Sequence, residues 1–117
     1  MCGIAGIAYN YGRPVERNIL EDMTNTLQHR GPDDSGILLT QNSNIHIGFG
    51  HRRLSIIDLS ENGHQPMSNE DASIWITFNG EIYNYKELKK DLIKAGHLFA
   101  SNSDTEVIIH GYEQYNE

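Results

Sequence analysis

Cys2 has the most chemistry to offer in this sequence. It directly follows the initiator methionine, and a small second residue permits Met1 to be removed. The new first residue would carry a thiol and a free α-amine on one carbon. Thiols titrate near ~8.5 and α-amines near ~7.7–8.0, so the amine is a competent base at neutral pH. Such a residue attacks a carbonyl carbon with no histidine beside it. A lone cysteine at a chain start is also an ordinary small hydrophobe, so Cys2 acquires meaning only through partners. Asn79-Gly80-Glu81 directly follows an expected strand. Asn-Gly is a common turn pair. A turn leaving a strand can also aim a side-chain amide and a Gly N–H at one point, and those two donors are what a tetrahedral oxyanion needs. Arg53, beside Arg52, is either one of two solvated charges or a fork that clamps a carboxylate. Asp104 falls in the first turn of the last expected helix. The helix dipole favours an acid there, and the carboxylate can receive an ammonium group. A nucleophile, oxyanion donors, a cation and an anion together suit an α-amino acid with a side-chain amide, glutamine or asparagine.

These residues need elements to bring them together. Gly3 to Tyr9 reads as a short buried strand, broken by Asn10, Gly12 and Pro14. Val15, Ile19, Leu20, Met23 and Leu27 recur at helical spacing. The segment Arg30-Gly31-Pro32-Asp33-Asp34 turns the chain, and through Gly36 it could brace a pocket. Gly36–Thr40 and Ile45–Gly50 are expected strands joined by a polar turn. In the second, Ile45, Ile47 and Phe49 form the apolar face by alternation. Arg53 to Asp58 reads as extended, Leu59 to Glu70 as a loop, and Ile74 to Phe78 as the strongest strand. Asn84 with Glu87 resembles a capping box ahead of a helix through Leu88, Leu92 and Ala95, stopped at Gly96. Leu98 to Ala100 is a further candidate strand. Ser103 with Glu106 repeats the capping pattern before a helix through Val107, Ile108, Tyr112 and Tyr115. Tyr83, Tyr85, Tyr112 and Tyr115 read as packing residues, and Lys86, Lys89, Lys90 and Lys94 as a solvated helix face. With no linker and no composition shift, residues 1–117 read as one α+β domain or a piece of one.

Composition removes several classes. The 9 basic and 16 acidic residues among 117 give a formal charge of −7. That balance argues against nucleic acid as the main partner, which needs a basic face. No apolar run spans a membrane, and the N-terminus lacks a signal-peptide pattern. One cysteine makes no internal disulfide, which fits a reducing, cytoplasmic setting. The six histidines, His29, His46, His51, His64, His97 and His110, form no HxxH or HExxH pair, so no metal site is assigned.

Six spaced motifs carry a resemblance. They are Met1-Cys2-Gly3-Ile4-Ala5-Gly6, His29 to Gly36, His51 to Asp58, Gln65-Pro66-Met67, Phe78 to Asn84 and Ser103 to Val107. In this order they resemble the N-terminal glutaminase domain of glutamine-hydrolysing asparagine synthetases. These are class II, or N-terminal-nucleophile (Ntn), glutamine amidotransferases. The resemblance implies that Cys2 is the nucleophile and that Asn79 and Gly80 hold the oxyanion. It implies that Arg53 binds the glutamine carboxylate, with Leu54, Ile56 and Ile57 lining the pocket. Glu81 and Asp104 match the positions that hold the ammonium, Asp104 with the stronger claim. The implied fold is a four-layer αββα sandwich, here incomplete.

The family's domain is longer than this chain, so a truncated glutaminase domain is expected, with the synthetase domain absent. ATP and magnesium would belong to that missing domain, whose pyrophosphate loop does not occur in residues 1–117. The expected partners are glutamine, the synthetase domain of the parent enzyme and, through unpaired sheet edges, further copies of the chain. Competing readings are a non-catalytic glutamine-binding or partner-binding fragment, an amidotransferase serving another acceptor, and a histidine metal site.

Overall fold

In a computed structural model describing residues 1–116, three strands form one antiparallel sheet in the order β1-β3-β2. They are β1 (Gly3–Tyr9), β2 (Asp34–Asn42) and β3 (Ile45–Arg53). The hairpin β2–β3 is closed by Ser43 and Asn44. β1 lies on the other side of β3, with Gly3 opposite Arg52 and Tyr9 opposite His46. A second, two-stranded sheet pairs β4 (Met67–Ser68) with β5 (Trp75–Ile76). Helices α1 (Arg17–Asn25), α2 (Tyr85–Lys94) and α3 (Asp104–Tyr115) complete a small α+β domain.

Helix α1 packs directly onto the glycines of β3. A Cβ at Gly48 would press on Leu20, and one at Gly50 would overlap Thr24. Leu20 and Thr24 are both fully buried in that notch. Thr24 satisfies its hydroxyl within the helix by donating to the Leu20 carbonyl at 2.7 Å. The expected alternation on β3 is therefore present, but the covered face is inverted. Gly48 and Gly50 lie under the helix, whereas Ile45, with 47% of its surface exposed, faces the open side. β1 is likewise only half covered, and Ile4 is 48% exposed.

Several other expectations change. Residues 54–58 turn rather than extend. The 59–70 segment is not all loop: it holds a 3₁₀ turn (Glu61–Gly63) and β4. Leu98–Ala100 forms no strand. Its Ala100 N–H donates instead to the Glu106 carboxylate at 2.7 Å. The strand expected over Ile74–Phe78 shrinks to β5. The Ile74 N–H goes to the Asn69 side chain, and the Phe78 N–H to Gln65.

Helix α2 does start after Asn84, but the cap is made by backbone: the Asn84 carbonyl accepts from Glu87 and Leu88. It stops at Gly96, whose φ of +103° is one that L side chains rarely adopt. Ser103 caps α3, accepting from the Thr105 N–H at 3.2 Å. Lys89 is not part of a solvated face. It donates to the Ser101 carbonyl at 2.8 Å and lies over the Phe99 ring. Tyr83, Tyr112 and Tyr115 are exposed rather than packed.

Two glycines separate crowding from helix propensity. A Cβ on Gly36 would collide with the Gln65 backbone carbonyl, whereas one on Gly111 in α3 would meet nothing within 4 Å. Gly36→Ala is expected to lower stability by about 1–3 kcal/mol. Gly111→Ala is expected to raise it by roughly 0.5–1 kcal/mol. Urea denaturation midpoints of the two variants check both signs.

Candidate functional site

The antiparallel register of β1 on β3 places the start of one strand beside the end of the other. Gly3 faces Arg52, so Cys2 arrives level with Arg53. The Cys2 thiol is held against the next residue. The Leu54 N–H donates to Sγ at 3.3 Å, and Sγ lies 3.7 Å from the Leu54 carbonyl oxygen. Arg30 steadies the preceding backbone, its Nε donating to the Cys2 carbonyl at 3.2 Å.

The 30–36 turn does brace this corner. The Asp33 N–H donates to the Arg53 carbonyl at 3.0 Å, and the Asp33 carboxylate accepts from the Ser55 N–H at 2.8 Å. Arg52 belongs to the same brace, not to a pair of solvated charges: it is buried and donates to the Gly31 carbonyl at 2.9 Å.

A cleft of about 290 Å³ opens from this corner. Cys2, Arg53, Leu54, Ile56, Ile57, Asn79, Gly80, Glu81 and Asp104 all line it. Every residue singled out in the sequence for this chemistry thus meets at one place. The individual roles differ in detail. Arg53 is buried, and its guanidinium donates to the Ser60 carbonyl at 2.8 Å and to the Asp58 carbonyl. Two of the five N–H groups of a guanidinium are thereby used to shape the 58–60 loop. Asp104 is buried at the first turn of α3, where its carboxylate accepts from the Ile82 N–H at 2.8 Å. It therefore fixes the turn that follows Asn79-Gly80 as well as presenting an anion. Glu81 is exposed, and Tyr83 stands fully out at the rim.

Residues that the sequence left without a role hold the two walls together. Gln65 is buried; its Oε1 accepts from the Phe78 N–H at 2.7 Å, and its Nε2 donates to Thr105 Oγ1 at 3.2 Å. His51 Nε2 lies 3.2 Å from the Phe78 carbonyl oxygen, an acceptor only, so Nε2 carries the proton. Burial lowers the His51 pKa, which keeps the ring neutral. Phe78, immediately before Asn79, is thus gripped at both its N–H and its carbonyl. The Gln65-Pro66-Met67 motif was the only sequence signal for Gln65.

Asp58 ties the loop after β3 to the approach to α3. One carboxylate oxygen accepts from Ser60 N–H and Oγ, the other from the Asn102 N–H at 2.9 Å. The Ser60 hydroxyl, followed by the backbone donors, holds its pKa below the ordinary value despite opposing desolvation.

A family model described as a glutamine amidotransferase domain matches residues 1–117. The chain belongs to that family. It is 44% identical over 120 residues to glutamine-hydrolyzing asparagine synthetase 1 of Bacillus subtilis, covering all of this chain and 18% of that protein. It is 48% identical over 118 residues to asparagine synthetase 2 of the same bacterium, covering 97% of this chain and 15% of that protein. A putative asparagine synthetase 2 of Methanocaldococcus jannaschii is 44% identical over 128 residues, with 97% and 24% covered. The amidotransferase chain therefore spans less than a quarter of the length of these curated relatives. No helix among the described residues is long and apolar enough to cross a membrane.

A carboxylate whose pKa is depressed on folding contributes stability above its unfolded value near ~3.9 and loses it as pH falls through the folded value. Asp58→Asn is expected to cost on the order of 1–2 kcal/mol at pH 7, because the charged bonds are partly screened at the cleft. The gap between parent and variant should be smaller at about pH 3 than at pH 7 and should go on shrinking as pH falls through the folded value. Urea unfolding at both pH values checks this.

Proposed function

We propose that this amidotransferase domain hydrolyses glutamine to glutamate and ammonia through a thioester on Cys2. The supporting observation is the convergence of Cys2, Arg53, Asn79, Gly80 and Asp104 on one cleft, although Cys2 and Asp104 are 102 positions apart in the chain. In this reading Met1, which lines the cleft, is removed. The freed α-amine then takes the thiol proton, directly or through a water molecule. The thiolate adds to the side-chain amide carbon of glutamine, and the oxyanion is received by the Asn79 amide and the Gly80 N–H. The amine returns the proton to the leaving nitrogen, which departs as ammonia. Water then cleaves the thioester to release glutamate. The N–H groups of Arg53 beyond its two loop bonds receive the α-carboxylate, with the walls formed by Leu54, Ile56 and Ile57. Asp104, helped by Glu81, receives the α-ammonium.

The relatives' names, glutamine-hydrolyzing asparagine synthetases, support a wider proposal, that the ammonia serves asparagine synthesis, which we take to be ATP-dependent amidation of aspartate. In it ATP and magnesium act in a synthetase domain, which is also the proposed partner, and no step above runs through them. We also infer the finer architecture, a four-layer αββα sandwich. The open sheet face carrying Ile4 and Ile45 supports it, since apolar strand residues call for a covering layer. A cytoplasmic setting is proposed from the single free thiol.

The test is glutaminase activity of protein whose intact mass shows Met1 removed. Cys2→Ala is expected to abolish ammonia release. Asn79→Ala is expected to lower kcat by about 10²–10³-fold. Glutamate formation by Cys2→Ala at the parent rate would end the proposal.

A further inference from the structure

Away from the cleft, a second group of side chains meets where α2 ends and α3 continues. Gly96 stops α2, and the His97 N–H donates back to the Leu92 carbonyl at 3.0 Å, which delivers His97 to the flank of α3. There it meets His110 and Glu113, an i, i+3 pair on one helical face. One ligand-competent atom from each of the three lies within 4.8 Å of the others.

Both rings of this group meet the same carboxylate. His97 Nε2 lies 3.0 Å from Gln114 Oε1, an acceptor, so Nε2 carries the proton and Nδ1 presents its lone pair. His97 Nδ1 lies 3.4 Å from Glu113 Oε2. On His110, Nε2 faces Glu106 Oε1 at 3.4 Å, and Nδ1 lies 2.9 Å from that same Glu113 oxygen. The two imidazoles thus bring both Nδ1 atoms to one carboxylate oxygen, each with an oxygen acceptor at its outer Nε2. In the metal-free protein the shorter contact is a hydrogen bond donated by His110 Nδ1–H to Oε2, and a divalent ion would take that proton's place as it moves to Nε2, which faces Glu106.

The dimensions suit a metal ion. Bonds of 2.0–2.1 Å to nitrogen and 2.0–2.2 Å to oxygen give a tetrahedral edge of roughly 3.3 Å; the two Nδ1–Oε2 edges are 2.9 and 3.4 Å, and the ligand atoms of the three residues all lie within 4.8 Å of one another. Each ligand also has an outer partner that fixes it. Gln114 and Glu106 hold the rings, and Asn69 Nδ2 donates at 2.7 Å to the other oxygen of Glu113. Metal sites characteristically carry such supports.

We propose that His97 Nδ1, His110 Nδ1 and Glu113 Oε2 bind a zinc-class divalent ion, with solvent completing the coordination. The ion would staple the end of α2 to the second half of α3. The spacing of the histidines concealed this site: His97 and His110 are thirteen positions apart and meet only because α2 and α3 pair.

The test uses the full chain without an affinity tag, its Cys2 thiol alkylated so that it offers no ligand. Titration with Co²⁺ is expected to give one equivalent of a nitrogen- and oxygen-ligated visible spectrum, displaced by one equivalent of Zn²⁺. Zinc should raise the thermal midpoint by several degrees. Long-range ¹⁵N–¹H spectra should show metal on the Nδ1 atoms and protons on the Nε2 atoms of both rings. His97→Gln and Glu113→Gln, checked by circular dichroism for retained folding, are each expected to weaken binding at least ~100-fold. Gln114→Ala is expected to weaken it by roughly 10-fold or more. Absence of saturable binding below about 1 mM, or binding unchanged in His97→Gln, overturns the proposal. So does a spectrum in which both rings titrate as imidazolium and ignore added metal.

Discussion

The pairing of β1 with β3 is the constraint on which the cleft depends. A strand that slips by one residue turns every side chain to the opposite face. With Gly3 opposite Arg52, Cys2 comes level with Arg53 and its sulfur rests on Leu54. Helix α1 protects the central strand from such a slip. Its Leu20 and Thr24 fit only over Gly48 and Gly50, and a one-residue shift would bring Phe49 or His51 beneath them. A strand that looks poorly suited to a sheet because of its glycines is in fact fixed by them. The same strand, through Arg53 opposite Asp34, aligns the end of β3 with the start of β2, so the cleft's floor has one origin.

The opposite wall lacks a comparable ladder and relies on side chains. Gln65 and His51 hold both polar groups of the Phe78 backbone, and Asp104 holds the Ile82 N–H. The intervening Asn79-Gly80 turn is therefore anchored on each side, by one amide, one imidazole and one carboxylate. A backbone pair within a sheet would give similar energy but would also consume the N–H of Gly80. Side-chain anchors leave that group available, a requirement for any turn that must donate to a substrate.

This arrangement explains which features were legible in the sequence. The three helices and the strands of the larger sheet announced themselves because local periodicity decides them, with a side-chain cap only at Ser103. The strand expected over Ile74–Phe78 was shortened because Asn69 and Gln65, distant or uncommitted in sequence, claim its terminal N–H groups. Leu98–Ala100 failed as a strand for the same reason, since Glu106 takes its last N–H and also that of Ser101. Arg52 looked solvated because a basic pair carries no sign of which carbonyl it will meet. The candidate cleft residues were legible as residue types, and the family resemblance gathered them. The braces around them, Gln65, His51 and Asp58, lay within the motifs but showed no role there, because a polar residue that works by gripping backbone leaves no spacing pattern.

Helix α3 then links the two ends of the molecule's chemistry. Asp104 opens it inside the cleft, and His110 with Glu113 lies two turns further along. Glu106 stands between them with both carboxylate oxygens engaged. They accept from the Ala100 and Ser101 N–H groups, from the Ser101 hydroxyl, and face His110 Nε2. Ser101 Oγ in turn accepts from the N–H of Ser103, the cap of the helix, at 3.2 Å. A polar chain thus runs unbroken from His110 to the residue preceding Asp104. Glu106 is buried among these donors, and a buried carboxylate that lost any of them would carry uncompensated charge. Its position, and with it the first turn of α3, is consequently tied to how His110 is held. The anion that faces the cleft and the imidazole at the far side are set by one network, which a helix of this length can span without any change in its backbone.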